Sequence, residues 1–256
     1  QRPPEMEAPP VERRLPYGVS ETGRFDVDVR TGDGPDRWVA LHRSEPVATR
    51  VADTSEGTAP YYKISGGGKR RNITAGGLRV DPNRIWTAQG AEDHIKKMNK
   101  GAPKRKLNAA IAEAAAIRAE YFKQFIPKEG GSVYSFHNSR AGAVYSGGKN
   151  IYQHERDKKV TAEVHEGNEN SPSFMIMTDQ EQFDSAREQG APFNILYQPY
   201  NPAAKDDGSL SYAMGKIGVP YVNLEVRLGP KAEVVQRAML KWLRNNGHQM
   251  HSAGTH

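Results

Sequence analysis

The stretch Phe174-Met-Ile-Met-Thr-Asp-Gln-Glu-Gln-Phe-Asp-Ser-Ala-Arg-Glu-Gln-Gly-Ala-Pro-Phe-Asn-Ile-Leu-Tyr197 decides the fold class. Its two ends, Phe174 to Met177 and Phe193 to Tyr197, are apolar runs of strand length. Between them, Asp179 to Gln189 reads as an amphipathic helix that Gly190 stops. A strand, a helix and a second strand in so short a segment predict an α/β chain.

The pattern continues outward on both sides. Downstream, Tyr221 to Val226 reads as a strand, and a last helix is expected from about Lys231 to Asn245, ending at Gly247. Upstream, Val133 to His137 is a strand. A strong helix from about Lys106 to Phe125 precedes it, with Ile111, Ala115, Arg118 and Phe122 at helical spacing and Pro127 and Gly130-Gly131 as its stop. Thr87 is the expected N-cap of a helix reaching Met98. Tyr61 to Ile64 and Asn72 to Thr74 read as strands separated by Gly66-Gly67-Gly68. Arg37 to His42 reads as a buried strand, and Pro46 fits the first position of a helix after it. The expected fold is α/β: a mixed, largely parallel sheet sandwiched by helices.

Three regions follow from composition. Residues 1–36 carry Pro3, Pro4, Pro9, Pro10, Pro16 and Pro35 with little apolar periodicity, and read as a Pro-rich, partly disordered arm. Residues 37–246 form the expected domain, and 247–256 a flexible tail containing three histidines. One domain suits a chain of 256 residues. The absence of cysteine excludes disulfides, thiol nucleophiles and Cys-based metal sites, so any metal must be held by His and carboxylates.

Thirty-six Lys and Arg against thirty Asp and Glu leave a net charge of +6. The densest basic run, Lys96-Lys97, Lys100 and Lys104-Arg105-Lys106, lacks interleaved aromatics, so no nucleic-acid partner is expected. No transmembrane segment is expected, because no stretch approaches the roughly 20 apolar residues a membrane helix needs. A chain beginning with Gln1 is expected to be processed or trimmed, which favours a secreted or periplasmic location over a cytoplasmic one. Gly66-Gly67-Gly68-Lys69 lacks phosphate-loop spacing, and no G-x-S-x-G nucleophile elbow is present.

In α/β sheets function collects where strands end, and three predicted strands end on reactive residues: His42, His137 and Glu225. His42-Arg-Ser-Glu45 is an H-x-x-E sequence whose imidazole and carboxylate can converge on one ion. With His137 it makes a His₂Glu set, which leaves zinc one open position for water. Glu225 lies in an otherwise apolar strand, and charged residues are rarely buried without a partner. A general base beside metal-bound water explains it.

His42-x-x-Glu45, Arg70-Arg71-Asn72, Asp81-Pro-Asn83-Arg84, the strand-end His137 and Leu224-Glu225-Val226 occur in an order that resembles the M14 zinc carboxypeptidase superfamily, most of all its short succinylglutamate desuccinylase and aspartoacylase type. The resemblance covers about residues 37–246. It implies Zn²⁺ held by His42, Glu45 and His137, with Glu225 as general base and then general acid. Arg71, or its neighbour Arg70, would polarise the scissile carbonyl. Asn83 and Arg84 would hold the substrate carboxylate, in keeping with bidentate recognition by guanidinium. For the tyrosine that closes over substrate, Tyr200 and Tyr212 both precede Glu225, and Tyr212, after the flexible Asp206-Asp207-Gly208-Ser209 loop, is preferred.

The implied activity is hydrolysis of an amide bond in a carboxylate-bearing peptide or acylamino acid, with cell-wall peptides among the candidates. Zinc N-acetylmuramoyl-L-alanine amidases also resemble this chain, through Ser135-Phe-His137 and Leu224-Glu225-Val226. They separate their first His and Glu more widely than H-x-x-E. A non-catalytic protein using the same cleft is the third reading.

Overall fold

The computed structural model describes residues 19–26, 47–51, 58–64, 72–125, 132–139, 144, 146–167, 171–227 and 231–251. The expected strand at 37–42 and the Gly66–Gly68 turn lie outside them, as do His42, Glu45 and Arg71.

In chain order the strands are β1 (Val19–Asp26), β2 (Val47–Val51), β3 (Thr58–Ile64), β4 (Ile73–Ala75), β5 (Leu78–Val80), β6 (Ser132–Ser139), β7 (Glu163–His165), β8 (Phe174–Met177), β9 (Asn194–Tyr197) and β10 (Tyr221–Arg227). The helices are α1 (Ala88–Met98), α2 (Lys104–Phe125), α3 (Ile151–Arg156), α4 (Gln180–Glu188), α5 (Leu210–Lys216) and α6 (Ala232–His251). Thr87 caps α1 by accepting from Gly90 N–H, and Asp179 caps α4 by accepting from Gln182 N–H, so both helices begin where the sequence places them. The last helix runs on to His251, past Gly247.

Eight strands form one sheet in the order β1-β3-β2-β6-β10-β8-β9-β7. β6/β10 and β8/β9 are parallel, the latter pair joined through α4 as the strand-helix-strand reading requires. The pairs β1/β3, β3/β2, β2/β6, β10/β8 and β9/β7 are antiparallel. The sheet is therefore mixed but not largely parallel, contrary to the expectation from sequence. Apolar runs such as Phe174–Met177 suggest parallel strands because those are covered on both faces. Helices on both faces cover an antiparallel central pair equally well.

Two further differences have local causes. The chain after Pro46 is a strand and not a helix, in keeping with the strand preference of the β-branched residue types at positions 47, 49 and 51 of its sequence. Asn72–Thr74 continues into a hairpin, β4/β5, turned by Gly76 and Gly77 at φ 54° and 73°.

Alternation along the central strands divides the core. Met175, Met177, Val222, Leu224 and Val226 pack with Phe183 and Ala186 of α4 and Met239, Leu240 and Leu243 of α6. Val133 and Tyr221 face the other way, against Ile95 of α1, Ala110, Ala114 and Ile117 of α2, and Met214 of α5. On this second face Phe174, Ile176 and Leu196 meet Tyr152 of α3.

The β4/β5 turn lies directly on α2. Gly76 N–H donates to Glu113 Oε2 at 2.5 Å, and a Cβ at Gly76 would stand 2.4 Å from the backbone nitrogen of Ala110. Gly76→Ala adds that overlap to a left-handed backbone that disfavours side chains. It is expected to cost about 2 kcal/mol or more, read as a lower urea midpoint with an unchanged slope.

Candidate functional site

Parallel pairing of β6 and β10 sets the floor of the site. Their register places His137 beside Glu225, Ser135 beside Asn223 and Val133 beside Tyr221, and side chains on adjacent strands at matched positions share a face. On the other side of β10, Asn223 pairs with Ile176 and Glu225 with Phe174. His137, Ser135, Tyr221, Asn223, Glu225, Phe174 and Ile176 all line one cavity of about 550 Å³. The carboxyl end of β6 is also where β2 begins: Val47, two residues after Glu45 in the chain, pairs with Phe136, the residue before His137.

Asn83 and Arg84 reach the same cavity from the 3₁₀ turn Pro82–Arg84. Asp81 caps that turn by accepting from Asn83 N–H at 2.9 Å, and Pro82 supplies a preset φ at its start. Asn83 lines the cavity, and its buried Oδ1 has no hydrogen-bond partner among the described residues. Arg84 Nη1 donates to Asp207 Oδ2 at 2.5 Å.

The loop carrying Asp207 is held by several bonds. Trp86 N–H donates to Gly208 O at 3.0 Å, Thr87 Oγ1 donates to Asp206 Oδ1 at 2.6 Å, and Gly208 N–H donates to the same oxygen at 2.9 Å. Gly90 of α1 lies so close that a Cβ there would stand 2.2 Å from Gly208 N. The loop expected to be flexible is therefore clamped to the start of α1 and to the Asp81–Trp86 segment. Ser209 then caps α5, which brings Tyr212 to the cavity edge. Tyr212 meets Tyr200 edge-on with ring centroids 5.1 Å apart, so both tyrosines weighed in the sequence stand together at this wall.

A polar chain crosses the floor below His137 and Glu225. Ser135 O–H donates to Asn223 Oδ1 at 3.2 Å, which leaves Ser135 Oγ to accept from Tyr221 O–H at 2.5 Å. Burial pushes the Tyr221 phenol well above its ordinary value, helped by the negative charge of Glu225. The ring of His137 is pushed down to about 4, first by burial and then by the positive charge of Arg84, so near neutral pH it is an uncharged imidazole with a lone pair to offer.

Of the residues singled out in the sequence, the structure thus gathers His137, Glu225, Asn83, Arg84 and Tyr212 around one cavity. His42, Glu45 and Arg71 lie outside the described residues, and among the described residues no group of three or more His, Asp or Glu is placed to hold a metal. Asp207, Tyr221 and Asn223 were missed. Tyr221-x-Asn223-x-Glu225 carried a readable signal for the last two, a polar residue at every second position of an otherwise apolar strand. Asp207 carried none, since only the folded loop brings it to Arg84.

Helices on both faces of a mixed sheet, with a cavity of mixed polar and apolar lining toward the ends of its central parallel strands, define an α/β protein with a ligand-sized crevice. Compared with family models, curated proteins and solved structures, the chain has no match.

The state of His137 has a consequence for stability. An unfolded histidine titrates near 6.5, so as the pH falls from there toward about 4 the unfolded chain takes up a proton that folded His137 refuses. Its contribution is fully present above the unfolded value and is lost as pH drops through that window. His137→Gln removes this dependence. Between about pH 7.5 and about pH 4.5 the variant is expected to lose on the order of 1 kcal/mol less in urea unfolding than the parent chain.

Proposed function

We propose that this chain is a zinc-dependent hydrolase that cleaves an amide bond in a carboxylate-bearing peptide or acylamino acid. The observation that carries the reading is the side-by-side placement of His137 and Glu225 on paired parallel strands, in a cavity also lined by Asn83 and Arg84. Two further observations support it: an imidazole kept neutral, as metal ligation requires, and the start of β2, just after the H-x-x-E sequence, beside the end of β6.

His42, Glu45 and His137 would hold the metal, which when bound supplies Lewis acidity and a water of lowered pKa. The Glu225 carboxylate accepts a proton from the attacking water and returns it to the leaving nitrogen. Asn83 and Arg84 hold the substrate carboxylate, using the planar guanidinium fork and an amide donor. Arg71 steadies charge on the scissile carbonyl oxygen, and Tyr212 covers the substrate at the cavity edge.

Protein purified without added metal is expected to carry about one zinc per chain, lost in His42→Ala. Glu225→Gln should retain zinc while turnover of N-acylated amino acids or carboxyl-terminal peptides falls by about 100-fold or more. Arg84→Ala should raise KM for these substrates by about tenfold, with a smaller effect on kcat. A folded chain without stoichiometric zinc, or a Glu225→Gln variant with unchanged turnover, overturns the reading. Retained ligand binding with no hydrolysis under any metal condition would instead favour a non-catalytic binder.

A further inference from the structure

The Arg84–Asp207 pair says more about the substrate than the class of bond does, and the inference rests on Arg84 and Asn83 holding a carboxylate. A clamp for a bare carboxylate is weakened by a fixed anion beside it, since like charges at contact repel. Yet Asp207 stands 2.5 Å from Arg84 inside the cavity. Burial alone would raise its carboxyl, but the Arg84 guanidinium and the hydrogen bonds from Ser209 outweigh this and hold it below the usual range, so it remains an anion.

The loop does not need that charge. Trp86, Thr87 and Asp206 clamp it, and Asp207 Oδ1 accepts from Ser209 N–H at 3.0 Å, which a neutral amide oxygen would also do. Its side chain keeps 52% of its surface exposed, so its remaining lone pairs are open to a ligand. The cavity therefore presents a cation and an anion in contact. The complementary ligand carries an anion and a cation equally close together, which is the ammonium and carboxylate of a free α-amino acid head. An amine at the far end of a flexible side chain would have to fold back beside its carboxylate, at a cost in conformational entropy, to meet both.

We propose that Arg84 and Asp207 together bind the free α-amino acid head group of the substrate, and that the amide cleaved lies at the substrate's other end, as in an ω-N-acylated diamino acid. The carboxylate takes the edge of Arg84 that Asp207 leaves open, together with the Asn83 amide, and the ammonium takes Asp207. In the hydrolysis, the acyl carbon gains the hydroxyl of water as its bond to the ω-nitrogen breaks. The proton received by Glu225 passes to that nitrogen, releasing a carboxylic acid and a diamino acid.

The test compares Nε-acetyl-L-lysine with 6-acetamidohexanoate, which differ only in the α-amine, by calorimetric binding to the full chain and to Asp207→Asn. The lysine derivative should bind the parent chain about tenfold more tightly, the scale of one charge-assisted hydrogen bond, and the ratio should fall to near one in Asp207→Asn. Equal affinities in the parent chain overturn the head-group assignment while leaving the carboxylate clamp in place, and this comparison needs no variant to fold. Equal weakening of both ligands in Asp207→Asn means that Asp207 only orients Arg84, and overturns it as well. Failure of both ligands to bind sinks the clamp itself and the assignment with it.

Discussion

The parallel hydrogen-bonded pairing of β6 with β10 is the constraint on which the rest of the site depends. Strand register has a period of two, so a slip of one residue would turn His137 away from Glu225 and into the apolar layer beneath the sheet. That slip is prevented by the other face, where Tyr134, Val222, Leu224 and Val226 are buried against α4 and α6. The same residues that supply the hydrophobic stabilisation of the core thus hold two polar side chains in register on the opposite surface. Gln236 of α6, fully buried, adds two long hydrogen bonds at 3.4 Å to the carbonyl oxygens of His137 and Leu224.

A second constraint brings the charged wall to this floor. The 3₁₀ turn with Asn83 and Arg84 and the loop with Asp207 come from distant parts of the chain, yet they share a clamp at Trp86, Thr87 and Gly208. Burying Ile85 and Trp86 in the core anchors one side of that clamp. Leu210 and Met214 of α5 anchor the other in the same cluster. Packing energy spent on apolar side chains therefore also sets where the cations and anions of the cavity stand, and any chemistry there inherits its geometry from that packing.

Much of this was legible beforehand because it rests on local physics. Thr87 announced a helix start through a side-chain oxygen that satisfies an orphan backbone donor, and the long α2 announced itself by helical spacing. His137 and Glu225 stood out as polar ends and interruptions of apolar strands, whereas Asn83 and Arg84 entered only through the family resemblance of the Asp81-Pro-Asn83-Arg84 segment. What misled was equally physical. An apolar run covered on both faces looks alike whether its neighbours run parallel or antiparallel, so the direction of β8 against β10 could not be read. Pro46 suits the start of a strand as well as that of a helix, and the β-branched alternation after it decides between them.

The sequence by itself determined the central strands β6, β8, β9 and β10, the helices α1, α2 and α4 and the start of α6, the absence of thiol chemistry and a short roster of candidate site residues. Each of these follows from a side chain and its near neighbours along the chain. Tertiary structure alone decided which of those residues meet: that His137 lies level with Glu225, that Tyr221 closes a hydrogen-bonded floor through Ser135, and that Arg84 faces Asp207 more than a hundred positions away. Such contacts depend on strand order and on loop closure over long chain separations, and local propensity carries no information about either.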